Sequence, residues 1–203
     1  MRKQSIIILI VVALVALLVP AGPVAAVAED NPSAIIPFEG YRVRDRQVRG
    51  PEQIVGCRIL RASQEAWWTV TTDNDLVTGQ WYNYDTKVNR EVIQYLEEGV
   101  LVDCIPSDPP DPVPTGPGSL VLGVGVVHGP FMLTPDADVG GGVWDGEWKL
   151  VHRPDGSIHL TATAQGIGGD LEGLTLKVSY DGIPQPPQPF NGFIGYPPSA
   201  DGG

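Results

Sequence analysis

WDGEWKLVHRPDGSIHLTATAQGIGGDLEGLTLKVSY, residues Trp144–Tyr180, is the stretch whose reading decides the fold. Within it, Arg153-Pro154-Asp155-Gly156 has the chemistry of a tight turn. Pro presets φ at the first central position, Asp suits the second, and Gly accepts the left-handed geometry that follows. A type I turn closed by a Gly bulge is a common hairpin loop. Pairing Arg153 with Ser157 sets Trp148 opposite Ala162, Leu150 opposite Leu160 and His152 opposite Ile158. The other face then pairs Val151 with His159, Lys149 with Thr161 and Glu147 with Thr163. One face is apolar and the other mostly polar, as a half-buried sheet requires. A slip by one residue would mix the faces, so the register is strongly specified. Leu174, Leu176, Val178 and Tyr180 alternate with Thr175, Lys177 and Ser179, which adds a third strand after the turn Gly166-Ile167-Gly168-Gly169-Asp170.

The same alternation recurs upstream. Ile54 to Arg61, with Cys57 inside it, Ala66 to Thr72, and Leu76 to Tyr84 read as strands, the last two joined by the turn Asp73-Asn74-Asp75. Val88, Val92, Tyr95 and Leu96 fall at helical spacing and Gly99 is a fitting stop, so Asn89–Glu98 is the one predicted helix; a strand-like reading of 87–104 is the alternative. Ser119 to His128 and Phe190 to Ile194 complete the strands.

These elements predict an all-β fold, an antiparallel up-and-down barrel of about eight strands with at most one short helix. Residues 41–196 form that domain, with a Pro-rich loop at 106–118. The alternative is a disulfide domain over 41–105 and a separate β domain over 119–196. Residues 29–40 read as a leader and 197–203 as a disordered tail.

Met1-Arg2-Lys3, the apolar run Ile6–Val19 and the small residues Ala26-Val27-Ala28 have the three parts of a secretory signal peptide, residues 1–28. An uncleaved N-terminal membrane anchor is the alternative, although Pro20, Gly22 and Pro23 break the run. Cys57 and Cys104 are the two cysteines of a 203-residue chain, and in an oxidising compartment they are expected to pair. The formal charge of −11 argues against nucleic acid or an anionic lipid surface as partner.

The chemistry-bearing residues do not assemble into a known constellation. No G-x-S-x-G occurs, and His152 and His159 fall on opposite faces of the hairpin. Asp73-Asn74-Asp75 and Asp136-Ala137-Asp138 do not fit a calcium loop, and two lone cysteines do not make a zinc site. Asp145 with Glu147, and Asp170 with Glu172, share a face, but it is the polar outside. No cofactor or metal is expected.

Two candidate ligand surfaces remain. Arg42, Arg44 and Arg46 alternate along one extended segment and would form an anion-binding ridge, or else a solvated edge-strand face blunted by charge. Trp67, Trp68 and Trp81 would form an aromatic surface if exposed, with Trp67 and Trp68 on opposite faces of their strand.

TTDNDLVTGQW (71–81), WDGEW (144–148), PDG (154–156) and GIGGDLEGLTLKV (166–178) together resemble exported bacterial β-barrel proteins related in shape to allene oxide cyclase and dirigent proteins. The resemblance rests on turns, glycines and alternation, and covers about two-thirds of the chain after residue 28. It implies a small barrel with an apolar pocket, often oligomeric, and carries over no catalytic residue.

Three functions follow as expectations. The first is an exported, disulfide-stabilised barrel acting as a non-catalytic binding or structural module. Its partner would be a small molecule, a glycan or an envelope protein, with membrane contact only if the signal segment stays. The second is a cyclase- or isomerase-type enzyme with an apolar barrel pocket, and the third a carbohydrate-binding module. A pocket with polar groups converging from several strands favours the second, a shallow aromatic strip the third, and a filled interior a scaffold.

Overall fold

The computed structural model describes residues 35–106 and 120–196. The signal segment, most of the proline stretch and the tail 197–203 lie outside the described residues. Among the described residues the strands are β1 (Ile35–Val48), β2 (Glu52–Val55), β3 (Arg58–Thr72), β4 (Gly79–Glu97), β5 (Val100–Asp103), β6 (Leu120–Pro135), β7 (Val143–His152), β8 (Ile158–Ile167), β9 (Thr175–Gly182) and β10 (Gln188–Gly195), with a 3-10 turn at Gly169–Leu171. Every pairing is antiparallel. The order β3-β1-β10-β9-β8-β7-β6-β4 closes on itself through β3–β4, which makes an eight-stranded up-and-down barrel. β2 and β5 extend β3 and β4 beyond it. The strands before and after the proline stretch do not form separate sheets, because β4 pairs with β6 from Gly79↔Pro135 to Tyr95↔Leu120.

The β7–β8 hairpin has the predicted register, with Trp148↔Ala162, Leu150↔Leu160 and His152↔Ile158. Gly156 takes φ +82° and donates its N–H to the Arg153 carbonyl, while Arg153 N–H reaches Ser157 O. Ile158, Leu160, Ala162 and Ala164 point inward along β8, and His159, Thr161, Thr163 and Gln165 point out. Small residues let the walls approach: a Cβ on Gly146 would meet the Thr163 carbonyl oxygen at 2.0 Å.

Three expectations are corrected. Residues 89–97 are the second half of strand β4 and Glu98 is in the turn that follows, so the segment is not a helix. Val88, Arg90 and Val92 keep the period of two, and the register shift between Val92 and Gln94 breaks it, so the next buried residue is Tyr95. Cys57 lies not within a strand but in the β2–β3 turn, at φ +59°. Residues 35–40 of the supposed leader belong to β1, held there by Phe38, which meets Phe190 edge-on at 6.3 Å in the core.

One end of the barrel is filled. Trp81 stacks on Phe131 with ring centroids 4.1 Å apart, and Trp144 donates its indole N–H to the Leu76 carbonyl at 2.7 Å. Val77, Val139, Leu171 and Leu174, from the loops at that end, fold over the opening and are buried with Leu133, Leu176 and Ile194. Each such side chain contributes about 1.5–3 kcal/mol on burial, relative to exposure. At the other end Cys57 and Cys104 form a disulfide with Cα atoms 5.8 Å apart. The bridge ties the β2–β3 turn to β5, beside β4, where Val92 N–H donates to Cys57 O and Cys104 N–H to Ile93 O.

Candidate functional site

The end opposite the plug is hollow. A cavity of about 490 Å³ opens there, walled by β1, β3, β4, β6, β7, β8 and β10. Its apolar lining is Trp68, Trp148, Leu150, Ile158, Val88 and Val127, inward residues of the barrel's own alternation. Its charged lining is one-sided. Arg42, Arg44, Arg49, Arg61 and Arg90 face it, against one carboxylate, Glu52. That concentration of cations occurs in a chain whose formal charge is −11.

Arg42 is the most buried of these, with 2 % of its surface exposed. β1 is no edge strand: it lies between β3 and β10, so the solvated edge-face reading of Arg42 fails. Arg42 Nε donates to Gln188 Oε1 at 2.9 Å, and its guanidinium carbon lies 4.3 Å from the Trp68 ring centroid and 5.5 Å from that of Trp81. Burial, then repulsion from Arg44, pulls its pKa down to about 9, so it stays charged at neutral pH. Among the described residues no carboxylate pairs with it. Aromatic faces offset part of the desolvation, by about 2 kcal/mol or more in a dry site. The cost of burying an unpaired cation is larger.

The other arginines are anchored. Arg61 pairs with Glu52 and also donates to Gln64 at 2.8 Å, Arg44 donates to Gln47 at 3.1 Å, and Arg90 donates to the Gly123 carbonyl at 3.2 Å. Yet Arg42 Nη1, Arg61 Nε, Trp68 Nε1, Trp148 Nε1 and Gln188 Nε2 are all buried without a partner, and all five residues line the cavity. The sixth such atom, Thr86 Oγ1, is a hydroxyl outside the lining. Buried polar groups are nearly always paired, so a cluster of unpaired donors asks for a ligand or ordered water bearing acceptors. His152 also faces the cavity; burial, then Arg90, holds its pKa down to about 4, so the ring is neutral at pH 7.

The candidate residues therefore divide. Arg42, Arg44 and Trp68 line the cavity, and Trp81 sits in the core. A register shift between Arg44 and Arg46 turns Arg46 away, and it lies over Trp67 on the outer wall at 5.0 Å. Trp67, Tyr82 and Tyr84 form a ladder there, with centroids 4.8 and 5.6 Å apart. The rings stand face to face like books, so the faces a sugar ring would stack on are turned to one another. Arg61, Arg90, His152 and Gln188 had no mark in the local sequence as site residues, although the hairpin register already placed His152 on the apolar face.

A second depression, of about 960 Å³, lies on the outer wall across β1, β3, β8, β9 and β10. Its Asp181 carboxylate is already engaged. Arg153 grips Asp181 through two bonds of 2.6 Å, and His159 Nδ1 lies 3.0 Å from the same carboxylate. The Arg153 hydrogen bonds, then His159, hold Asp181 down to about 2. The inner cavity is thus the better candidate, despite the larger volume outside. Comparison of the chain with protein-family models, with curated proteins and with solved structures finds no match, so what the site binds has to be argued from its own geometry.

Proposed function

We propose that this protein is an exported module that binds a small molecule in the open half of its barrel, without transforming it. One observation carries the reading: five residues that line a cavity of about 490 Å³, among tryptophan and aliphatic walls, each carry a buried donor without a partner. That size and that mix of apolar wall and few polar groups are typical of small-molecule sites. The Cys57–Cys104 disulfide supports an oxidising compartment, and the composition of residues 1–28 supports export to one. The likeness to allene oxide cyclase and dirigent proteins is compatible with such a pocket and is itself part of the proposal.

The convergence of polar groups from several strands also favours an enzyme as the second reading. Acid–base chemistry in this lining would fall to Glu52, committed to Arg61, and to His152, a weak base at a pKa near 4. That makes binding the stronger reading.

The test is a titration with N-phenyl-1-naphthylamine, a neutral apolar fluorophore. The proposal predicts a saturable rise at one site per chain, together with quenching of tryptophan emission from Trp68 and Trp148. Leu150→Trp, which fills the cavity from β7, should suppress both in a protein that still melts cooperatively. A parent protein that gives no saturable signal would point to a scaffold instead.

A further inference from the structure

Resting on the small-molecule reading above, we infer that the ligand is an organic acid, held with its anionic head against Arg42 and Gln188 and its apolar body between Trp68 and Trp148. Two features select the sign, and the walls select the shape. Every unpaired buried atom of the cavity lining is a nitrogen donor, so the missing partner accepts hydrogen bonds. Among the described residues no carboxylate neutralises the buried cation. An acid head supplies acceptor lone pairs and a negative charge to the same place, and charge-assisted bonds of this kind are about twice as strong as neutral ones.

The body follows from the walls. The apolar part of the lining is built of indole, leucine, isoleucine and valine side chains, which favour apolar or aromatic surface over hydration. A bare inorganic anion would satisfy the donors and leave those walls uncovered. A neutral apolar molecule would cover the walls and leave Arg42 Nη1 and Gln188 Nε2 unpaired, so it binds more weakly than an acid of the same shape. A cation would meet five arginines and one glutamate.

The experiment compares two fluorophores that share one body. 8-Anilino-1-naphthalenesulfonate carries an acid head, and N-phenyl-1-naphthylamine has none. The full chain should bind the sulfonate at least tenfold more tightly at pH 7.5. In Arg42→Met/Gln188→Leu, which removes the polar pair with little change in volume, that preference should vanish while the neutral probe binds as before. Bound sulfonate should be displaced by 2-naphthoate and not by inorganic phosphate at the same concentration. Equal affinity for the two probes would overturn the acid head and leave the cavity reading standing. Failure of both probes to bind would overturn both. A sulfonate preference that survives in the double variant, or displacement by phosphate as readily as by naphthoate, would place the anion elsewhere or make the site one for bare anions.

Discussion

Arg42 is held by one hydrogen bond to Gln188 and two aromatic faces, an arrangement suited to an anion and poorly suited to the protein alone. Replacing Arg42 by Met removes the buried charge, which is worth about 1–4 kcal/mol of relief when a buried ionic group gives way to a packed apolar one. It also leaves Gln188 unpaired, at about 1–3 kcal/mol. Replacing both residues, as in Arg42→Met/Gln188→Leu, avoids the second cost. The double variant should melt within about 4 °C of the parent or higher, on a scale where 1 kcal/mol shifts a chain this long by about 2–4 °C. A loss of more than about 10 °C would mean that the pair is a structural strut. His152 makes a pH prediction. Its pKa is lowered in the fold, to about 4, so unfolding lets it take up a proton more readily. Its contribution to stability is whole above the ordinary histidine value and drains as pH falls toward about 4. The ring is only partly shielded, so the loss is about 1 kcal/mol and not the full equivalent of the shift. Urea melts at pH 7 and pH 5 should show His152→Gln losing less stability than the parent over that interval. Parallel curves would remove His152 from the acid response.

The β7–β8 hairpin was legible because Pro154-Asp155-Gly156 pins the turn and the two faces differ so sharply that only one register keeps Trp148, Leu150 and Leu160 together. Gly156→Ala tests how much the turn contributes. A Cβ there would meet nothing within 4 Å, so the penalty is conformational alone. It should lower stability by about 1 kcal/mol in a denaturant titration, the cost of left-handed backbone for a residue with a side chain. No change would mean the loop relaxes to another turn type. Strand β4 was not legible, and the reason is physical. A bulge between Val92 and Gln94 inserts one residue into β4, and the buried Val88, Val92 and Tyr95, at spacings of four and three, mimic a helix. Bulges cannot be seen without the neighbouring strand that they are bulges against. The extension built by β2 and β5 rests on the disulfide. Reducing it, or replacing Cys57 and Cys104 by Ser, should lower stability by up to about 4 kcal/mol, the chain-entropy value for a loop of this length. Hydrogen exchange should then speed up in Glu52–Val55 and Val100–Asp103 before it does in β7 and β8. A uniform acceleration would show that the bridge supports the barrel as a whole.

At the scale of the molecule, the barrel is solid at one end and hollow at the other. Trp81, Phe131 and Trp144 fill the closed half, and loop residues Val77, Val139 and Leu171 cap it. The closed all-β architecture could be read from alternation and turn chemistry along the chain. The site could be read only in part, since Arg42, Arg44 and Trp68 announce themselves as alternating residues while Gln188 lies 146 positions from the arginine it binds. Arg61, Arg90 and His152 likewise meet the cavity only once β3, β4 and β7 close the same wall. Convergence of this kind is a property of closure, and no local pattern encodes it. Arg42 is the proposed anchor of an acid held inside the barrel. The most direct measurement is a crystal structure of the full chain with 8-anilino-1-naphthalenesulfonate. It should place a sulfonate oxygen about 3 Å from Arg42 Nη1, within hydrogen-bond reach, with the naphthalene against Trp68 or Trp148. A fluorophore on the outer wall beside Trp67 and Tyr82, or a barrel interior packed with side chains at both ends, would contradict it.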